Sequence, residues 1–398
     1  MNRNQLLIIL VIGLVLGGIG LYLNKQKSAA YQSTAKTDTE RLLGDFPVND
    51  VAHITIRQST NEVNLVKGDT WTIKERGDYP ANSGDIIELG RKLWDLRSAQ
   101  SQKIGESQLG RMELLPPDKG GKDSATLVEL KGKDGKVIRS VLLGKKSMRG
   151  GGDDQFGGGG FPNGRWVYLP DKPGRVYLVT EAFAEIEPKG ERWLNKDFFK
   201  VEKAKSIAVT FPEATNSWKL TRETESGEWK LADAKSEEQL DTAKTSGFNY
   251  ALSSPAFNDV AVGVSPELSG LDTPTTVTLE TFDHFTYTIQ VGTKTNDNQY
   301  LTVAVTADLP KERTPGADEK PEDKARLDKE FADKHKQLEE KLANEKKLGK
   351  STYLVSSWTV DSLLKERATL MAEKKEAESN PEAAAETPSL DVNPFEAK

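Results

Sequence analysis

Phe46-Pro47-Val48-Asn49-Asp50-Val51-Ala52-His53-Ile54-Thr55-Ile56 is followed, 153 residues later (199 − 46 = 153), by Phe199-Lys200-Val201-Glu202-Lys203-Ala204-Lys205-Ser206-Ile207-Ala208-Val209. Phe46, Val48, Val51, Ile54 and Ile56 return there as Phe199, Val201, Ala204, Ile207 and Val209. Further on, Gly68-Asp69-Thr70-Trp71 returns as Ser226-Gly227-Glu228-Trp229, Val141 to Gly144 as Ile289 to Gly292, and Tyr177 to Thr180 as Tyr353 to Ser356. What recurs is apolar, aromatic and glycine, the residues that build a core and its turns. No histidine and no paired carboxylate recurs with them. The duplicated unit is a scaffold, and two modules of roughly 150 residues are the natural division of the chain.

Within each module the pattern is mostly that of strands. Ala52 to Ile56 and Glu62 to Val66 alternate apolar and polar residues, and a turn at Lys67-Gly68-Asp69 leads to Trp71-Thr72-Ile73. Such alternation in β-branched residues predicts an antiparallel meander with one wet face. Thr126 to Leu130 and Lys136 to Leu143 flank Asp134-Gly135, a hairpin signal. A helix is predicted after Asn82, with Ile86, Leu89, Leu93 and Leu96 on one stripe, and a short one over Thr180 to Glu187. In the second module the corresponding helices are predicted from the capping box Ser236-Glu237-Glu238-Gln239 and over Ser356 to Leu370. The expected fold class is therefore α+β: an N-terminal transmembrane helix followed by two tandem, homologous repeats, each a mainly antiparallel sheet with two helices. The expected boundaries are an anchor over 1–24, a polar tether over 25–44, one repeat over 45–198, the second over 199–371 and a disordered acidic tail over 372–398.

The anchor is read from Leu6 to Leu23, 18 residues without a charged or amide side chain. At 1.5 Å per residue such a run spans about 27 Å, close to the roughly 30 Å hydrocarbon layer of a bilayer. It is longer than the apolar part of a cleaved signal peptide, about 7–15 residues. Arg3 on one flank and Lys25 and Lys27 on the other leave the orientation nearly balanced. The net charge is −6, and Ala372 to Lys398, with seven acids and three bases, accounts for four of those charges. A near-neutral body argues against a nucleic-acid partner. The absence of cysteine excludes disulfides, thiolate metal sites and a cysteine nucleophile.

Two insertions distinguish the repeats. Gly144 to Gly164 carries nine glycines around Phe156 and Phe161, and Leu309 to Lys350 is charged, with a helical stretch from Pro321. The apolar stripe of that stretch (Leu327, Phe331, Leu338, Leu342) is wide enough for one partner helix or for folding back on the chain's own body. These six residues are the candidate partner contacts. The glycine cluster does not make a nucleotide loop: Gly144-Lys145-Lys146-Ser147 has the ending of a phosphate loop, but Arg139 stands where its first glycine belongs. His53, His284 and His335 are isolated, so no metal ligand set is read. No catalytic, cofactor-binding or metal-binding residue is assigned. Trp71 and Trp229, equivalent after their turns, read as core plugs, and Trp94, Trp193 and Trp358 as core on helical stretches.

With these pieces laid out, the chain resembles a bacterial family of unknown function. Its members are membrane-anchored repeat proteins often encoded beside gliding-motility-type ABC transporter genes. The matching elements are the apolar N-terminal run, Trp71-Thr72-Ile73, the Asn82-capped helix ending in Leu93-Trp94-Asp95-Leu96, Leu114 to Pro117, Leu143-Gly144 and Val176 to Val179. The resemblance implies a body outside the cytoplasmic membrane, working with ABC transporter-like membrane subunits, and it carries over no activity or functional residue. The expectation is a non-catalytic, single-pass accessory or binding protein of an ABC-type transport or gliding-motility-like complex. Two alternatives stand beside it: a cell-surface or cell-wall binding protein, and an enzyme with an active site assembled from distant carboxylates.

Overall fold

The computed structural model describes residues 40–149, 161–236, 238–316 and 319–372. The period-two runs form strands, and the residues that alternate inward form the core: Ile54, Ile56, Val63 and Leu65 in the first module, Ile207, Val209, Trp218 and Leu220 in the second, all buried. The first module gives β1 (His53–Arg57), β2 (Glu62–Lys67), β3 (Trp71–Ile73), β4 (Tyr79–Pro80), β5 (Ser98–Lys103), β6 (Thr126–Lys131), β7 (Val137–Arg149), β8 (Phe161–Tyr168) and β9 (Arg175–Val179). The second gives β10 (Ala204–Thr210), β11 (Trp218–Thr221), β12 (Lys230–Leu231), β13 (Phe257–Ala261), β14 (Thr275–Thr281), β15 (Phe285–Thr295), β16 (Asn298–Ala307) and β17 (Thr352–Ser356).

Their order is β4-β3-β2-β1-β6-β7-β8-β9-β5 in a nine-stranded sheet and β12-β11-β10-β14-β15-β16-β17-β13 in an eight-stranded one. One order maps onto the other strand by strand, with β4 the one addition. The likeness extends to irregularities. The edge strands β5 and β13 each carry a register shift at the same place, between Ser98 and Gln100 and between Phe257 and Asp259. A Cβ on Gly144 would lie 2.4 Å from the Met112 carbonyl oxygen, and one on Gly292 would lie 2.0 Å from that of Ser269, so both positions exclude any other residue. The carbonyl of Gly144 accepts from Arg165 Nε at 2.8 Å, and that of Gly292 from Gln299 Nε2 at 3.2 Å.

The fold corrects the sequence reading. It is two antiparallel sheets with few helices, not an α+β unit with two helices per repeat. The Asn82-capped helix stands, as Ser83–Trp94. Its counterpart begins not at Ser236 but after Asp241 and is one turn, Thr242–Thr245, continued by a 3-10 segment, Ser246–Tyr250. Glu238 does not cap a helix: its carboxylate accepts from the Lys235 backbone N–H and grips Arg367. Residues 180–187 form no helix, and Ser356 to Leu370 is reduced to the 3-10 turns Ser357–Thr359 and Arg367–Leu370. The reason is packing: Val360, Leu363 and Leu370 are each buried in turns of irregular chain, and burial outweighs the small differences of intrinsic helix preference. The transmembrane helix of the expected fold falls in residues 1–39, outside the described residues. Among the described residues no helix is long and apolar enough to cross a membrane.

The two sheets meet end to end. Tyr79 of β4 packs edge-on against Phe257 and Tyr353, with ring centroids 5.9 and 6.1 Å apart, on the β17–β13 end of the second sheet. Beside these rings Arg76 makes a two-pronged pair with Asp259, at 2.6 and 2.8 Å, and reaches Glu191 at 3.1 Å. The connection between modules is itself buried at Phe199 and Val201, so one apolar core runs through both.

Candidate functional site

The helix Ser83–Trp94 is held tightly at its start. The Asn82 side chain accepts from the backbone N–H groups of Gly84 (3.0 Å) and Asp85 (3.3 Å), and its own backbone N–H donates to the Trp193 carbonyl. Asp85 is then clamped by Arg192 at 2.7 Å. Ile86, Leu89 and Leu93 seat one face of the helix on the sheet. The neighbouring face, Ile87, Gly90, Arg91 and Trp94, looks across a gap to Trp71 and Lys67 over a floor of Val48, Val51, Ile54 and Leu130. The result is a mainly apolar groove of about 390 Å³. That volume lies in the range of small-ligand and peptide side-chain sites.

Three features keep this groove open. Gly90 contributes no side chain, and a Cβ there would meet only Val48 Cγ2 at 3.5 Å, an ordinary contact. Trp94 is fixed by the Arg41 guanidinium, stacked 3.3 Å from its ring centre. Ile87, at the rim, is 66% exposed although it is a large apolar residue in a regular helix. The cations at the mouth are Lys67, with Nζ 6.0 Å from the Trp71 ring, and Arg91. Among the described residues no acceptor meets Lys67 Nζ or Trp71 Nε1.

The second repeat has the same place, closed. Leu65 faces Ile54 and Leu220 faces Ile207, so Lys67 corresponds to Arg222 and Trp71 to Trp229. Counting from the caps, Gly90 corresponds to Asn249 (90 − 82 = 249 − 241 = 8), and buried Leu89 and Leu93 to buried Phe248 and Leu252. Asn249 Oδ1 accepts from Arg222 Nη1 at 3.1 Å and from Trp229 Nε1 at 3.0 Å. Arg222 Nε donates to the Ala204 carbonyl at 2.6 Å, and its guanidinium lies 4.7 Å from the Trp229 ring. Burial lowers the pKa of Arg222 below its ordinary value. Phe248 stacks on Trp218 at 5.4 Å beneath.

The residues singled out in the sequence fall elsewhere. Phe156 lies outside the described residues, and Phe161 opens β8 opposite Arg149. The span 144–164 is not a loop throughout, since β7 runs on to Arg149 and β8 begins at Phe161. Leu338 and Leu342 of the helix Pro321–Glu345 pack against the chain's own core. That end is pinned by buried Glu345, whose carboxylate accepts from the Lys200 backbone N–H (3.0 Å), Lys341 Nζ (2.9 Å) and the Tyr287 hydroxyl (2.9 Å). Burial and the Glu345 charge push the Tyr287 pKa well above the usual phenol range. Leu327 and Phe331 stay half-buried further along, with the Phe331 ring 6.0 Å from that of His335. Among the tryptophans, Trp193 and Trp229 are core, Trp71 and Trp94 line the groove, and Trp358 is 73% exposed. Among the described residues no group of three or more His, Asp or Glu is placed to hold a metal ion.

No curated protein and no solved structure matches the chain. A protein family described as a domain of unknown function, DUF4340, matches residues 71–274, about half of the chain. The match opens on Trp71 and takes in the groove helix together with its closed counterpart in the second repeat.

Proposed function

The chain belongs to the DUF4340 family, whose function is unknown, and from that premise we propose that it is a non-catalytic binding protein, an accessory of a membrane transport or gliding-motility-like complex of the ABC type. Its two-sheet body stands on the outer side of the cytoplasmic membrane and grips a polypeptide segment of a partner subunit in the groove of the first repeat. The observation that carries this reading is the groove itself. A fixed helix face, two tryptophans and a largely exposed isoleucine present apolar surface that the described residues do not cover. Exposed apolar patches of this kind mark interaction sites, and tryptophan and arginine are enriched where binding energy concentrates. The membrane setting is supported by the apolar run Leu6 to Leu23 and by the resemblance to proteins encoded beside ABC transporter genes.

Affinity purification of the full chain from membranes tests the proposal. A permease or ATPase subunit should be recovered in stoichiometric amount, and Ile87→Glu, which puts a charge on the rim, should abolish its recovery. Isolation of the chain alone from intact membranes, under conditions that keep transporter complexes together, would sink the reading.

A further inference from the structure

We infer that the partner's segment completes the groove of the first repeat by placing a side-chain carboxamide or carboxylate oxygen between Lys67 and Trp71, flanked by an apolar side chain resting on Trp94 and Ile87. The inference rests on reading the groove as a partner site and adds the chemistry of what enters it. The argument comes from the molecule's own second copy. There the equivalent cation and indole, Arg222 and Trp229, converge on the single oxygen Oδ1 of Asn249, at 3.1 and 3.0 Å. In the first copy the cation and the indole are kept, while the residue that supplied the oxygen is Gly90. The scaffold thus retains two donors and lacks their acceptor. Lys67 and Arg91 at the mouth add a positive rim that complements an oxygen acceptor, a carboxylate most of all. Ile87, exposed beyond the cavity, extends the apolar surface outside it, which suits a polypeptide segment better than a small molecule that the cavity would enclose.

The test restores the missing residue. Gly90→Asn supplies the second copy's own carboxamide at a position where an added Cβ meets only Val48 Cγ2, at 3.5 Å, an ordinary contact. This variant should melt no lower than the parent chain, because asparagine is a better helix residue than glycine. It should also lose the partner in membrane affinity purification. In parallel, acetyl-Phe-Asn-Tyr-amide, which repeats Phe248 to Tyr250, is titrated onto the full chain while the indole N–H resonance of Trp71 is followed, assigned by its loss in Trp71→Phe. At about millimolar peptide the resonance should shift saturably. The response should fall at least tenfold in Gly90→Asn and with acetyl-Phe-Leu-Tyr-amide, which lacks the oxygen. Equal binding of the two peptides, or no shift with either, overturns the inference. If Gly90→Asn still recovers the partner while Ile87→Glu does not, the oxygen-acceptor inference falls and the groove reading stands. If both variants recover it, the groove reading falls as well.

Discussion

The mouth of the first repeat and that of the second are one construction finished in two ways. Both set a cation beside a tryptophan at the end of the second strand of the meander, and both bring a capped helical segment across it. In the second repeat Asn249 ties Arg222 and Trp229 together and Phe248 fills the space below, so the tryptophan is core. In the first a longer helix with glycine at the critical place leaves Lys67 and Trp71 facing a groove. Duplication preserved the sheet, and the helix that covers it is where the copies diverged. The groove of the first repeat lies where the second repeat has one more side chain, that of Asn249.

The widest gap between the copies should appear on truncating the tryptophans. Trp229→Ala should cost about 3–5 kcal/mol, the usual loss for a buried aromatic. Trp71→Ala, at a half-open site, should cost less than half as much, about 1–2 kcal/mol. Urea unfolding midpoints of the two variants measure this, and equal losses would remove the distinction between open and closed mouths. Where the copies agree, the effects should agree too. Gly144→Ala and Gly292→Ala each force a Cβ into a backbone carbonyl and should each destabilise by about 3 kcal/mol. A tolerated alanine at one of them would break the equivalence of the modules.

Smaller is the effect of opening the closed mouth. Asn249→Gly leaves two donors without their shared acceptor and should cost about 1–2 kcal/mol, while making the Trp229 indole N–H exchange with solvent as the Trp71 one does; hydrogen exchange reads both. The least effect is one of pH. The Arg367 guanidinium, with help from the Lys235 backbone N–H, holds the Glu238 carboxyl down to about 2, from 4.5. Its folded-state pKa is depressed, so the unfolded chain binds more protons between those values and stability rises with pH there. The contribution of this contact is complete above pH about 4.5 and is lost as pH falls toward 2. Glu238→Gln should flatten the acid limb of the stability profile, and an unchanged limb would show that the contact is immaterial to folding.

The sheets could be read in advance because their information is local. Ile54, Ile56, Val63 and Leu65 alternate without interruption, and Asp134-Gly135 marks its own turn. The duplication then placed equivalent strands in the second half. Two kinds of element were hidden. The edge strands Ser98–Lys103 and Phe257–Ala261 have no shared alternation, since the first is polar apart from Ala99, and pairing to β9 and β17 alone defines them. The segments after Thr180, Ser236 and Ser356 carry helix-like spacing but are decided by tertiary contacts. That last failure concealed the groove. A helix capped at Ser236 puts Lys244 opposite Gly90 (236 + 8 = 244), whereas counting from the true cap, Asp241, puts Asn249 there. The candidate site was therefore readable only through a comparison that needed the structure to set its register, and Trp71 passed for core because its twin is core.

The end-to-end union of the modules through Tyr79, Arg76 and Asp259 makes the body directional. The join uses the β4 end of the first module and the β17–β13 end of the second, and what is left over is a β5 border at one extremity and a β12 border at the other. Such an object lacks any internal dyad, so a neighbour arriving at one extremity meets a surface unlike the one at the far side, and units joined by this rule would meet head to tail, as a ring or a row according to the rotation at each join, and never as a two-fold pair.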